Sequence, residues 1–304
     1  IEVPFDLATA RDDIAEQEFD ILVYPEIGMD IFTYSLACAR LAPVQCVSWG
    51  HPVTTGIANM DYFVSSEELE TQNSDAHYSE KLVRLGTLPT YYEKPLSSEK
   101  EFERAHFGLE EGVRYYLVAQ YLFKIHPEFD AIMAAILERD PEGVVLLVHG
   151  TQPIWSNLIW GRFKRKYPDL ADRLQFVNSR PRDEFLSFLS FVDVSLDIPH
   201  FNGGNTTIEA LSVHTPVVTM PSEFMRGRVC AAIYKQIGLS DLIAETPKED
   251  VNLAVQIATD DTFRKEVKDS IADKIDGFFE NENVIREWEN FFLMACEEKG
   301  LKRS

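Results

Sequence analysis

The strongest constraint on the fold is a set of short apolar strands of buried type, most of them followed by a loop and then a helical pattern. Phe19 to Pro25, Pro43 to Trp49, Arg114 to Ala119, Val144 to Val148 and Val217 to Met220 show it in turn. A strand without polar alternation must be covered on both sides, which is the situation of a strand in a parallel sheet. Helices between such strands supply the cover. The expected class is therefore α/β. With 304 residues, about two domains are expected.

In chain order, Leu7 to Glu18 is polar and helix-compatible. Strands follow at 19–25, 43–49, 61–65 and 81–85, with a helix from Ile31 to Leu41 between the first two. Four strands with so little helix make only half of a doubly wound domain. Leu88 to Arg104 carries two prolines, serines and charges and reads as a linker. The strand-helix rhythm then restarts at Arg114. Helices are expected at 127–139, 155–167, 182–191 and 228–237, with strands at 174–177, 193–197, 217–220 and 242–244. Three amphipathic helices, 249–259, 261–275 and 284–298, close the chain. The domains are expected to span residues 1–95 and 96–304, the terminal helices belonging to the second, with a ligand cleft between the two domains. The chain opens on Ile1 rather than Met, so it is read as a piece of a longer protein.

Composition excludes some partners. The formal net charge is −21, which argues against nucleic acid or anionic membrane bound by general electrostatics. Apolar runs fall short of a membrane span. The four cysteines, Cys38, Cys46, Cys230 and Cys296, are scattered without CxxC spacing and read as reduced thiols of a cytoplasmic protein.

Candidate chemistry gathers in loops at the carboxyl ends of strands. In DVSLDIPHFNGGNTTIEAL, the turn Asn202 to Thr207 lies between a strand and a helical pattern opening at Ile208. Gly203 and Gly204 allow close approach of a ligand. Asn205, Thr206 and Thr207 present polar groups at a helix start, where the dipole favours anions. Glu209 is placed in the first turn, within reach of a second part of the same ligand. A plain βα turn would also favour glycine and an N-cap threonine. Arg226 and Arg228 follow in a glycine-containing loop and could turn guanidinium groups to a phosphate. Lys124, between a strand and a helix, is either solvent-exposed or a cation over a diphosphate. His51, in the exit loop of the second strand, either packs or caps, or transfers a proton. Asp30, Asp197 and His200 are read as solvated or capping. Acidic metal-binding spacing is absent from these loops.

The segments YPEIGMD, WGHPVTTG, DYFVSS, FKIHPEFDAI, VDVSLDIPHFNGGNTTIEAL and TPVVTMPSEFMRGRV, in this order, resemble the catalytic region of glycosyltransferase family 41. That family holds the nucleocytoplasmic protein O-GlcNAc transferases and bacterial protein N-glucosyltransferases. The resemblance implies a GT-B fold of two Rossmann-like domains, the amino-terminal one incomplete here. It implies inverting, metal-independent transfer of GlcNAc or glucose from a UDP-sugar to a polypeptide acceptor. It assigns Lys124, Thr206 and Thr207 to the diphosphate and Glu209 to the ribose. Two departures stand out. O-GlcNAc transferases of the family carry a Gly-His-Thr-Thr-like turn where this chain has Gly-Gly-Asn-Thr-Thr, which bears on the histidine contact and on sugar preference. The family's first domain is also larger. A nucleotide-sugar-binding module without catalysis, or a GT-B enzyme acting on a small molecule, are the alternative readings.

Overall fold

A computed structural model describes residues 2–95, 100–150 and 152–301. Contacts divide the chain into two compact units, 1–91 with 281–304, and 92–280. Residues 96–99 of the expected linker lie outside the described residues, as does Ile1. The expected boundary at 95/96 falls instead at Tyr91/Tyr92.

The first unit opens with helix α1 (Leu7–Ala15), capped by the Asp6 carboxylate, which accepts from the Thr9 amide. Strand β1 (Ile21–Tyr24), helix α2 (Ile31–Ala37) and strands β2 (Val44–Ser48), β3 (Tyr62–Ser66) and β4 (Lys81–Leu85) follow. The four strands are parallel and lie in sequence order. Every residue of β2 and β3 is buried, as their two-faced apolar pattern predicts. The same pattern in β1 misleads, because β1 is an edge strand with Val23 40% exposed.

The second unit holds β5 (Arg114–Val118), α3 (Phe129–Arg139), β6 (Gly143–Val148), α4 (Pro153–Lys166), β7 (Leu174–Val177), α5 (Arg182–Phe191), β8 (Val194–Leu196), α6 (Asn205–Ser212), β9 (Val217–Val218), α7 (Val229–Gln236), α8 (Pro247–Thr259) and α9 (Asp261–Ile275). The expected strand at 242–244 is reduced to a single bridge between Thr219 and Ile243. The five strands are parallel in the order β7-β6-β5-β8-β9. The chain thus builds outward from β5 through β6 to β7, then returns to the other side of β5 with β8 and β9. This reversal makes a switch point between β5 and β8, where loops at the carboxyl ends part and a ligand crevice forms.

The last helix, α10 (Asn283–Glu298), corrects an expectation. It belongs to the first unit, not the second. Phe291 and Ala295 are buried against Val44, Cys46, Tyr62, Val64 and Leu85. Phe291 meets Tyr62 edge-on at 5.3 Å, and the Tyr62 hydroxyl donates to Glu298 at 2.7 Å. The amphipathic pattern shows that a face is buried but not against which sheet. We expect Phe291→Ala to cost about 3 kcal/mol, the range for a truncated core aromatic. Hydrogen exchange should then quicken in β2 to β4 and stay unchanged in β5 to β8. Equal loss of protection in both sheets would contradict this placement.

Candidate functional site

The site grows from the buried carboxylate of Asp197, at the end of β8. Asp197 is only 3% exposed. One oxygen accepts from the amides of Ile198 (3.1 Å) and Gly203 (3.0 Å), and the other from the Thr219 hydroxyl (2.8 Å). Asp197 is therefore not solvated. It ties the exit loop of β8 back to its own strand and to the segment after β9. Burial pushes its pKa up to about 7, against these hydrogen bonds and the nearby Lys124.

Asn202 closes the same loop. Its side-chain amide donates to the Ile198 carbonyl at 2.8 Å and its backbone amide to the Arg226 carbonyl at 2.6 Å. The 222–228 loop is thus joined to the glycine turn through the backbone. The guanidinium of Arg226 lies over the Phe224 ring, and that of Arg228 donates to the Ser222 carbonyl at 3.0 Å.

Gly203 is required by close approach. A Cβ there would stand 2.3 Å from Gln120 Nε2 and 2.4 Å from Thr206 Oγ1. Those two groups hydrogen-bond at 2.6 Å, so the exit loop of β5 is fastened to the turn across the switch point. A Cβ on Gly204 would meet nothing within 4 Å. Its neighbour Asn205 begins α6, three residues before the expected start at Ile208. The amides of Asn205 and Thr206 have no acceptor among the described residues, as the first turn of a helix leaves them. The Thr207 hydroxyl points inward and donates to the Gly203 carbonyl at 2.9 Å. It stabilises the turn and presents nothing to a ligand. Asn205 accepts at Oδ1 from the Tyr92 hydroxyl.

Because α6 begins at Asn205, Glu209 stands in its second turn, and the first turn carries no acidic residue. Glu209 pairs with Arg182 Nε at 3.2 Å. Burial raises its pKa, and Arg182 opposes the rise. The Tyr92 hydroxyl feels the same carboxylate, since burial and then Glu209 raise its pKa. Glu209, Tyr92 and Arg182 thus form a polar group beside the start of α6.

Lys124 ends a 3-10 turn, Leu122–Lys124, in the exit loop of β5. It is half-buried, with Nζ 3.9 Å from the centre of the Phe201 ring. Burial lowers its pKa, and Asp197 opposes that. No carboxylate pairs with its ammonium among the described residues. A hollow of about 610 Å³ adjoins it, lined also by Phe123, Trp155, Leu158 and Phe201. A half-buried cation and two free amides thus stand at one switch point, a combination suited to a phosphate group.

His51 and Asp30 belong to the first unit. The β2 exit loop holding His51 is fixed by Glu80, which accepts from the Thr55 amide at 2.8 Å and the Thr54 hydroxyl at 2.7 Å. The His51 ring packs on Gly28, whose φ is +107° and where a Cβ would fall 2.5 Å from the ring. Asp30 caps α2, accepting from the amide and hydroxyl of Thr33 at 2.7 Å each. His200 is exposed and contacts Glu128.

The chain belongs to glycosyltransferase family 41. The model of that family matches residues 96–278. A probable UDP-N-acetylglucosamine–peptide N-acetylglucosaminyltransferase SPINDLY of Solanum lycopersicum is 29% identical over 232 residues, covering 75% of this chain and 24% of its own length. A UDP-glucose:protein N-β-glucosyltransferase of Actinobacillus pleuropneumoniae is 28% identical over 256 residues, covering 82% of this chain and 40% of its own length. The chain therefore spans a quarter to two-fifths of these relatives. An O-GlcNAc transferase variant of Thermobaculum terrenum superposes with a TM-score of 0.83 at 24% identity, over 97% of this chain and 56% of its own. A sucrose-phosphate synthase of Thermosynechococcus elongatus superposes at 0.64 with 14% identity. The fold is GT-B.

Gln120, Tyr92, Arg182 and Asn202 are absent from the sequence-derived set. Gln120 had one available signal, a polar residue directly after the apolar run of β5. Tyr92 and Arg182 reach the site only through the folded chain. The two glycines give a direct test. Gly203→Ala should destabilise by about 1 to 3 kcal/mol through overpacking, whereas Gly204→Ala should stay within about 0.5 kcal/mol. Thermal and urea unfolding would measure both, and equal midpoints for the two variants would contradict the packing described.

Proposed function

We propose that the protein containing this chain transfers GlcNAc or glucose from a UDP-sugar to a Ser, Thr or Asn side chain of a polypeptide, with inversion and without a metal ion. The observation that carries the reading is the half-buried ammonium of Lys124, lacking a carboxylate partner among the described residues, at the switch point that also exposes the Asn205 and Thr206 amides. The names of the relatives supply the donor and acceptor classes.

In such a transfer the acceptor attacks the anomeric carbon, the glycosidic bond to the β-phosphate breaks and UDP departs. Negative charge grows on the β-phosphate oxygens. Lys124 and the helix-start amides are donors fixed before the reaction, each worth roughly 3 to 4 kcal/mol when aimed at developing charge. Thr206 contributes its amide and a hydroxyl held by Gln120. Glu209 is proposed to accept from the ribose hydroxyls, in competition with Arg182. His51 is proposed as a proton-transfer partner in the first unit. The four free cysteines are consistent with a reducing, cytoplasmic setting.

Lys124→Ala in the full-length protein should lower kcat/KM by at least about 30-fold, roughly 2 kcal/mol of transition-state stabilisation. Circular dichroism should remain unchanged. Transfer within a few-fold of the parent would remove Lys124 from the chemistry. UDP should also raise the melting temperature equally in EDTA and in Mg²⁺. A UDP shift that needs Mg²⁺ or Mn²⁺ would overturn the metal-independent reading.

A further inference from the structure

Beside the hollow, three exposed side chains converge that the transfer chemistry does not use. His126 follows Lys124 by two residues, Glu128 precedes α3, and His200 comes from the exit loop of β8. His200 Nε2 lies 3.0 Å from Glu128 Oε2, and His126 Nδ1 lies 3.5 Å from the same oxygen. The two imidazole rings meet edge to face, with centres 4.5 Å apart. One ligand atom from each residue lies within 4.8 Å of the others.

We propose that His126, Glu128 and His200 bind a zinc ion. Two imidazole nitrogens and one carboxylate oxygen are a known zinc ligand set, leaving a fourth position for water. Imidazole ligation favours zinc over magnesium and calcium, which take oxygen ligands. The two histidine-to-Glu128 separations, 3.0 and 3.5 Å, bracket the edge of a zinc tetrahedron, about 3.3 Å for bonds of about 2.0 Å. All three side chains are exposed, so small rotamer changes can close the set without moving buried structure. The ligands also come from both loops of the switch point, the exit loop of β5 running into α3 and the exit loop of β8.

Charge sets the strength. Lys124, Arg162 and Arg165 line the same hollow. Arg162 is neutralised by Asp130, which takes two hydrogen bonds of 2.7 Å from it. The remaining positive charges weaken a dication's hold, so affinity should be micromolar rather than the far tighter binding of a structural zinc. The zinc is no counter-ion for the diphosphate, and its role is to fasten the two loops together. The inference stands on the three side chains and not on the transfer reaction.

Calorimetric titration of ZnCl₂ into the chelator-stripped protein, purified without a histidine tag, tests it. One zinc per chain is expected, with micromolar affinity, a raised melting temperature and no heat from MgCl₂. Co²⁺ should give visible absorption bands of a low-symmetry nitrogen-oxygen site. His126→Ala, His200→Ala and Glu128→Gln should each weaken zinc at least about tenfold, the loss typical for disturbing a metal's ligand surroundings. Circular dichroism would confirm that each variant folds. His106→Ala removes another exposed histidine paired with a carboxylate, Glu184 at 3.5 Å, and should change nothing. Absence of saturable zinc binding, or binding unaltered by the three ligand variants, would overturn the proposal.

Discussion

A single buried carboxylate organises the switch point of the second unit. Asp197 accepts from two amides of its own exit loop and from a hydroxyl beyond the next strand. Without these bonds the loop 198–204 would have to satisfy its polar groups elsewhere, and an unpaired buried donor costs about 1 to 3 kcal/mol. The loop's path fixes where α6 begins, and that fixes which amides are left without partners. It also brings Phe201 under Lys124 and Asn202 to the 222–228 loop. The meeting of a half-buried cation with two unpartnered helix-start amides is therefore a consequence of how one acid is buried.

The electrostatics are local. A chain with a net charge of −21 gathers Lys124, Arg162 and Arg165 around one hollow. Burial lowers the Lys124 pKa, so the ammonium is held at a cost that an arriving anion would offset. Asp197 partly supports that charge from within the protein, while its own pKa is raised to about 7. The two groups stabilise each other's charged forms and both suffer from desolvation.

Much of this was legible in the residues, and the failures have physical causes. The apolar runs located β2, β3, β5 and β6 closely, because strands covered on both faces tolerate few polar side chains. The same rule misread β1, whose apolar residues line a sheet edge. The turn 202–207 was recognisable from its glycines, yet the helix start was placed three residues late because Asn205 and Thr206 are polar and add nothing to apolar periodicity. That error carried Glu209 into the wrong turn. The inward hydroxyl of Thr207 depends on a contact with Gly203 that composition does not reveal. Asp197 reads as solvated or capping because isolated acids in loops usually are. Only the folded loop supplies the three donors that make burial tolerable.

The return of α10 to the first sheet makes the second unit an insertion, entered after Tyr91 and left at Asn281. The first sheet completes its core only with Phe291 and Ala295, residues near the far end of the chain. On a ribosome, which releases the chain from its amino end, β1 to β4 therefore emerge long before the helix that covers them. The second unit, whose segments are contiguous, has all its strands and helices available first. Once folded, it shortens the effective loop across which α10 must find β2 to β4, reducing the entropy of closure. The core of the first sheet is therefore completed by residues made only after the whole of the second unit.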